Sequence, residues 1–81
     1  MYLHIGKDFV IRNKDIIGIF NIDYVKNTKE YKALYKNLEE KKSIINISEN
    51  QNKTFILIEK EKEIKGYITN VGANTIGKRK M

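Results

Sequence analysis

The 81-residue sequence has no cysteine, no proline, no tryptophan and a single histidine, His4. Without cysteine there are no disulfides and no thiolate metal sites, which fits a reducing compartment. One imidazole cannot build a histidine-rich metal site, and no serine sits in a nucleophile elbow of the Gly-x-Ser-x-Gly kind. Phosphate-cradling glycine loops, dinucleotide fingerprints and calcium loops are absent as well. No apolar run approaches the ~20 residues of a membrane span. Residues 1–8 lack the basic start and apolar core of a signal peptide. The expectation is a cytoplasmic protein outside the membrane. No enzyme activity is expected either, and no cofactor, metal or small-molecule substrate.

What is present is charge. Sixteen basic residues face ten acidic ones, giving a net charge of +6. Fourteen of the sixteen are lysine, and only Arg12 and Arg79 are arginine. Lysine suits diffuse phosphate attraction more than bidentate reading of bases. The excess fits either a polyanionic partner or a solvated surface. A chain this short buries only about 60% of the surface its unfolded form exposes, so its core is thin. With disulfides and metals excluded, oligomerisation is the remaining route to extra stability.

Apolar periodicity divides the chain. Tyr2–Gly6 and Asp8–Arg12 read as β segments about a tight turn, Gly6-Lys7-Asp8. Residues 15–22 (DIIGIFNI) are rich in isoleucine, which predicts a strand buried on both faces, with Gly18 marking a bulge or close packing. In residues 24–42, Tyr31, Leu34, Tyr35 and Leu38 fall at i, i+3, i+4 and i+7, one helical stripe. Asn27 and Glu30 have the spacing of a capping box, and Lys41-Lys42 complements the far end of the helix dipole. Ser43–Ser48 returns to strand character, and Glu49-Asn50-Gln51-Asn52 reads as a hairpin loop. Lys53–Glu59 predicts a central strand, Lys60–Glu63 a solvated turn and Ile64–Thr69 a last strand. Residues 70–81 predict a short helical turn capped by Asn74 or Thr75, weakened by Gly72 and Gly77. The fold class is therefore α+β: a small, mainly antiparallel sheet, one central amphipathic helix and a short C-terminal helical turn, in one domain over 1–81.

The residues with something to offer a partner are cationic. Lys29, Lys32 and Lys36 form a stripe on the outer face of the helix, read either as phosphate contacts or as its wet side. Lys78, Arg79 and Lys80 close the basic tail, 77–81, either as an arm that adds counterion-release affinity or as a solubilising end. Lys53 precedes the central strand. The paired and clustered glutamates, Glu39-Glu40 and Glu59/Glu61/Glu63, read as solubilising charge. His4, between two aliphatic residues, reads as structural, with a pH-sensitive subunit contact as its functional alternative.

The opening Tyr2-x-His4-x-Gly6, the aliphatic positions Val10, Ile16-Ile17 and Ile19-Phe20, the run Thr54–Ile58 and the closing Ala73–Arg79 together resemble the RemA/RemB family of extracellular-matrix gene regulators, on its RemB branch. The resemblance covers nearly the whole chain. It implies a transcriptional regulatory role and a homo-oligomer, and on the RemA side a ring-like assembly that binds duplex DNA. Where RemA-like members carry an arginine-rich turn before the apolar strand, this chain has Glu49-Asn50-Gln51-Asn52, with only Lys53 basic. Two functions stay open: a DNA-associated homo-oligomeric regulator, and a protein-interaction module that does not touch nucleic acid.

Overall fold

The computed structural model describes residues 2–80, with side chains through Lys78. The chain runs β1 (Tyr2–Gly6), β2 (Phe9–Arg12), a 3-10 turn (Asn13–Asp15), β3 (Ile16–Asn21) and α1 (Ile22–Val25). It continues through α2 (Lys29–Glu40), β4 (Ile44–Asn46), β5 (Thr54–Lys60), β6 (Glu63–Thr69) and α3 (Ala73–Lys80). β1 and β2 form an antiparallel ribbon, and the other four strands make a sheet in the order β3-β5-β6-β4. β4 runs parallel to β6, while the remaining pairings are antiparallel. The α+β class read from the sequence is the observed one, and β5 lies at the centre of its sheet as its apolar run requires.

Alternation along β5 builds two cores, one on each face of the sheet. Ile56 and Ile58 pack with Leu3, Ile5 and Ile11 of the ribbon and with Ile76 of α3. Phe55 points the other way and packs with Ile68 and Leu38, with Tyr31, Leu34 and Tyr35 of α2 against them. The ribbon and α3 thus cover one face, and α2 covers the other. Each aliphatic or aromatic side chain fully buried in this way stabilises the fold by about 1.5–3 kcal/mol. Gly66 keeps the second core close: a Cβ there would lie 2.6 Å from Phe55 Cζ, a ring that meets Tyr31 edge-on at 5.3 Å between centroids.

Two buried threonines fasten the layers. Thr69 Oγ1 donates to the Ile5 carbonyl at 2.6 Å and accepts from the Val71 N–H at 3.1 Å. Thr54 Oγ1, on the neighbouring strand, donates to the Val71 carbonyl at 2.7 Å. Gly6 makes room: its φ is +140°, and a Cβ there would come within 2.9 Å of Thr69 Oγ1. His4 Nε2–H donates to the Lys7 carbonyl and closes the ribbon's turn.

The structure departs from the sequence reading at four places. β3 is an edge strand and is not buried on both faces: Ile17 is 52% and Phe20 37% exposed. The bulge at Gly18 is present as a register shift between Ile16 and Gly18. The helix expected over 24–42 is split. Asn21 caps α1 by accepting from the Asp23 N–H, and Thr28, not Asn27, caps α2 by accepting from the Tyr31 N–H. Thr28 Oγ1 also donates to the Val25 carbonyl, so the break is itself hydrogen-bonded. The segment after Ser48 is a crossover and not a hairpin loop, since β4 pairs with β6 instead of β5. α3 starts at Ala73, ahead of Asn74 and Thr75, and passes through Gly77 because Ile76 is fully buried beneath it; packing outweighs propensity.

Replacing Thr69 by valine keeps the shape and removes the donor, leaving the Ile5 carbonyl unsatisfied in the core. The expected loss is about 1–3 kcal/mol, read as a lower urea midpoint. A second expectation concerns Tyr31, whose pKa is raised by burial and by the neighbouring Tyr35. A phenol with a raised folded-state pKa contributes stability that is complete below the unfolded value of about 10 and is lost as pH rises through the folded value. Tyr31→Phe should therefore flatten the fall in stability between neutral and strongly alkaline pH, measured by denaturation at a series of pH values.

Candidate anion-binding surfaces

The strands place the lysines at the two ends of the sheet and on both its faces. At the end where β5 begins, the Lys53 N–H donates to the Thr69 carbonyl at 3.0 Å and its carbonyl accepts from the Ile22 N–H at 2.9 Å. The exposed Lys53 side chain therefore leaves from a fixed backbone, where the starts of α1 and β5 meet the end of β6. A shallow pocket joins Lys53 to Asn52, Asp23 and Ala73 at the start of α3. Asp23 itself pairs with Lys26 at 3.5 Å.

Lys29, Lys32 and Lys36 are all exposed on α2. Lys78 is exposed on α3, across the sheet from α2. The side chains of Arg79 and Lys80 lie outside the described residues. The structure therefore does not gather the seven expected cations into one patch: the helix stripe and the described part of the tail occupy opposite layers.

The sequence reading passed over a different group. At the opposite end of the sheet, the C-terminus of α2 meets the β5–β6 turn around a cleft of about 570 Å³. Lys41, Lys42, Lys62 and Lys65 line it, with Glu63 beside them and Leu34 and Ile64 as apolar walls. Among the described residues the ion pairs are Arg12–Asp15 and Lys26–Asp23, so no carboxylate neutralises the four ammoniums at contact distance.

Two of these lysines stand where L-residues are strained. Lys42 has φ +57° and Lys62 φ +68°, the latter following Glu61 at φ +54°. Lys42 ends α2 in a Schellman motif: its N–H donates to Glu39 O at 3.0 Å, and the Ser43 N–H to Leu38 O at 2.8 Å. Glu61 and Lys62 are the two central residues of the tight β5–β6 turn, and positive φ at both is the geometry that favours Asn-Gly. From sequence alone Lys41-Lys42 looked like a dipole complement and Lys60–Glu63 like a solvated run. Only the pairing of Lys60 with Glu63 reduces the turn to two residues and exposes the strain.

Among the described residues no cluster of three or more His, Asp or Glu side chains is placed to hold a metal ion. No helix among them is long and apolar enough to cross a membrane.

The arrangement defines a small, lysine-rich α+β domain. The RemA-like family, described as extracellular matrix regulatory protein A-like, matches residues 2–79, and the chain belongs to that family. No curated protein matches it.

Left-handed backbone costs a non-glycine residue about 1–2 kcal/mol, partly offset by glycine's greater entropy when unfolded. Lys42→Gly and Lys62→Gly should each raise stability, by up to about 1 kcal/mol. Thermal and urea denaturation of the single variants would show it, and a loss of stability would mean that the strain is already relieved by neighbouring contacts.

Proposed function

We propose that this chain is a cytoplasmic, non-enzymatic transcriptional regulator of the extracellular-matrix type that works as a homo-oligomer on duplex DNA. The observation that carries this reading is the family match over almost the full chain, 2–79. The net charge of +6 supports it. So does Lys53, the one cation in the crossover before β5, held on rigid backbone where a phosphate contact needs no ordering of the chain. The crossover segment Glu49–Asn52, which carries no basic residue, fits the RemB branch of the family. One subunit offers few phosphate contacts at this corner, and an oligomer repeats each of them, so linked weak sites gain from effective concentration.

Self-association is supported by surface the monomer leaves uncovered. Ile17 and Phe20 lie on the open edge strand β3, and Tyr24 of α1 is 83% exposed. The same surface favours a second reading: a protein-interaction module in which the lysines serve solubility. The separation of the candidate cations onto opposite layers is what speaks for it.

The two readings differ in the response to salt. A DNA-binding oligomer loses affinity linearly in log–log terms, with a slope of about −0.9 per neutralised phosphate. Lys53→Ala should weaken binding to any duplex sequence alike and lower that slope by about one for each engaged subunit. Fluorescence anisotropy over a salt series, with light scattering on the same samples, measures both quantities. Absence of binding even at low salt would discard the DNA reading in favour of the interaction module.

A further inference from the structure

We propose that the lysine-lined cleft between the end of α2 and the β5–β6 turn is a binding site for a small soluble polyphosphate, distinct from the Lys53 corner. Three observations converge there. Two structurally unrelated devices, a helix C-cap and a two-residue hairpin turn, each place lysine at a left-handed position. Folding alone favours glycine or asparagine at both. Both lysines open onto the same cleft, where Lys41 and Lys65 join them. Four lysines line the cleft with a single carboxylate residue, Glu63, and among the described residues none of the four is in an ion pair. Like charges held together in this way repel one another, and a multivalent anion placed among them removes that repulsion while gaining charge-assisted hydrogen bonds.

The chemistry of the walls selects the class of ligand. Lysine offers a compact point charge with three donors and no planar fork, which suits phosphate oxygens better than paired carboxylates. Among the described residues no aromatic ring lines the cleft, so a nucleobase has no stacking platform and recognition rests on the phosphate chain. The volume of about 570 Å³ lies within the usual range of small-molecule sites, about 300–1,000 Å³. The phosphates can come from an inorganic chain or from the triphosphate of a nucleotide. The shared chemistry is a run of adjacent phosphoryl groups.

The strain makes a clean test possible, because the substitutions that remove the charges also relax the backbone. Isothermal titration calorimetry with inorganic tripolyphosphate at about 50 mM salt, where surface charges are only partly screened, should show binding to the full chain. The Lys42→Gly/Lys62→Gly double variant should bind at least about tenfold more weakly while folding at least as stably. Lys53→Ala should bind tripolyphosphate as the parent does, which separates this site from the proposed DNA contact. ATP should bind like tripolyphosphate if the phosphate chain alone is read, and more tightly if the nucleoside also rests on Leu34 and Ile64; both results support the site. The proposal is overturned if the parent ignores both probes or if the double variant binds them equally well. It is also overturned if the double variant loses only duplex DNA, which would make the cleft part of the nucleic-acid surface.

Discussion

One buried hydroxyl holds the architecture together. Thr69 Oγ1 reaches from the last strand to the carbonyl of Ile5 in the first, 64 positions earlier in the chain, and receives the Val71 N–H in return. Among the described residues the ribbon has no ladder with the four-stranded sheet; it is joined by this contact and by apolar packing. The contact also explains Gly6, since any side chain there would collide with the hydroxyl. It fixes the turn that leads into α3, so that Ile76 drops into the same core as Leu3 and Ile5. A thin domain without disulfides depends on such points, because each buried residue serves more than one layer.

The same corner governs where charge can be displayed. Thr54 and Thr69 are the terminal pair of the β5–β6 ladder, and Lys53 is the residue just before them. Its backbone is pinned by β6 on one side and α1 on the other. The ladder then runs to Lys60 and Glu63 and delivers Lys62 and Lys65 to the far end, where the end of α2 brings Lys41 and Lys42. A single hairpin thus spaces two cationic regions along its length. The two proposed anion sites are therefore far enough apart along the hairpin for one chain to hold both ligands without either blocking the other.

Much of the scaffold was legible in the residues. The i, i+3, i+4, i+7 stripe of α2, the central apolar strand and the bulge at Gly18 follow from local pattern, because each depends on which face of one element is buried. The misreadings share a different cause. Whether Ile44–Asn46 pairs with β5 or β6, and whether Ile16–Asn21 is central or at an edge, depends on partners distant in sequence, and an isoleucine-rich segment suits either place. Asn21, Asn27 and Thr28 are all competent caps, so composition alone cannot choose among them. At the candidate sites, the cations could be named from sequence but not grouped. The stripe on α2 and Lys78 are separated by the sheet, and the cleft draws its lysines from two segments about twenty residues apart.

The distribution of strain carries the argument a step further. Lysine at a helix C′ position and lysine in a two-residue turn both work against folding in a domain with little stability to spare. Neither residue is buried, neither fills the core, and neither closes an ion pair among the described residues. Their contribution to the folded state alone is unfavourable, through backbone strain and through repulsion within a chain of net charge +6. Such costs are commonest at functional positions, where the surrounding structure over-determines the conformation. Any anion that binds the folded chain and not the unfolded one returns stability in proportion to its affinity and concentration. On the proposed reading, occupancy of the cleft and stability of the fold are coupled, and the lysines that strain the unliganded fold are the ones through which a bound polyanion would strengthen it.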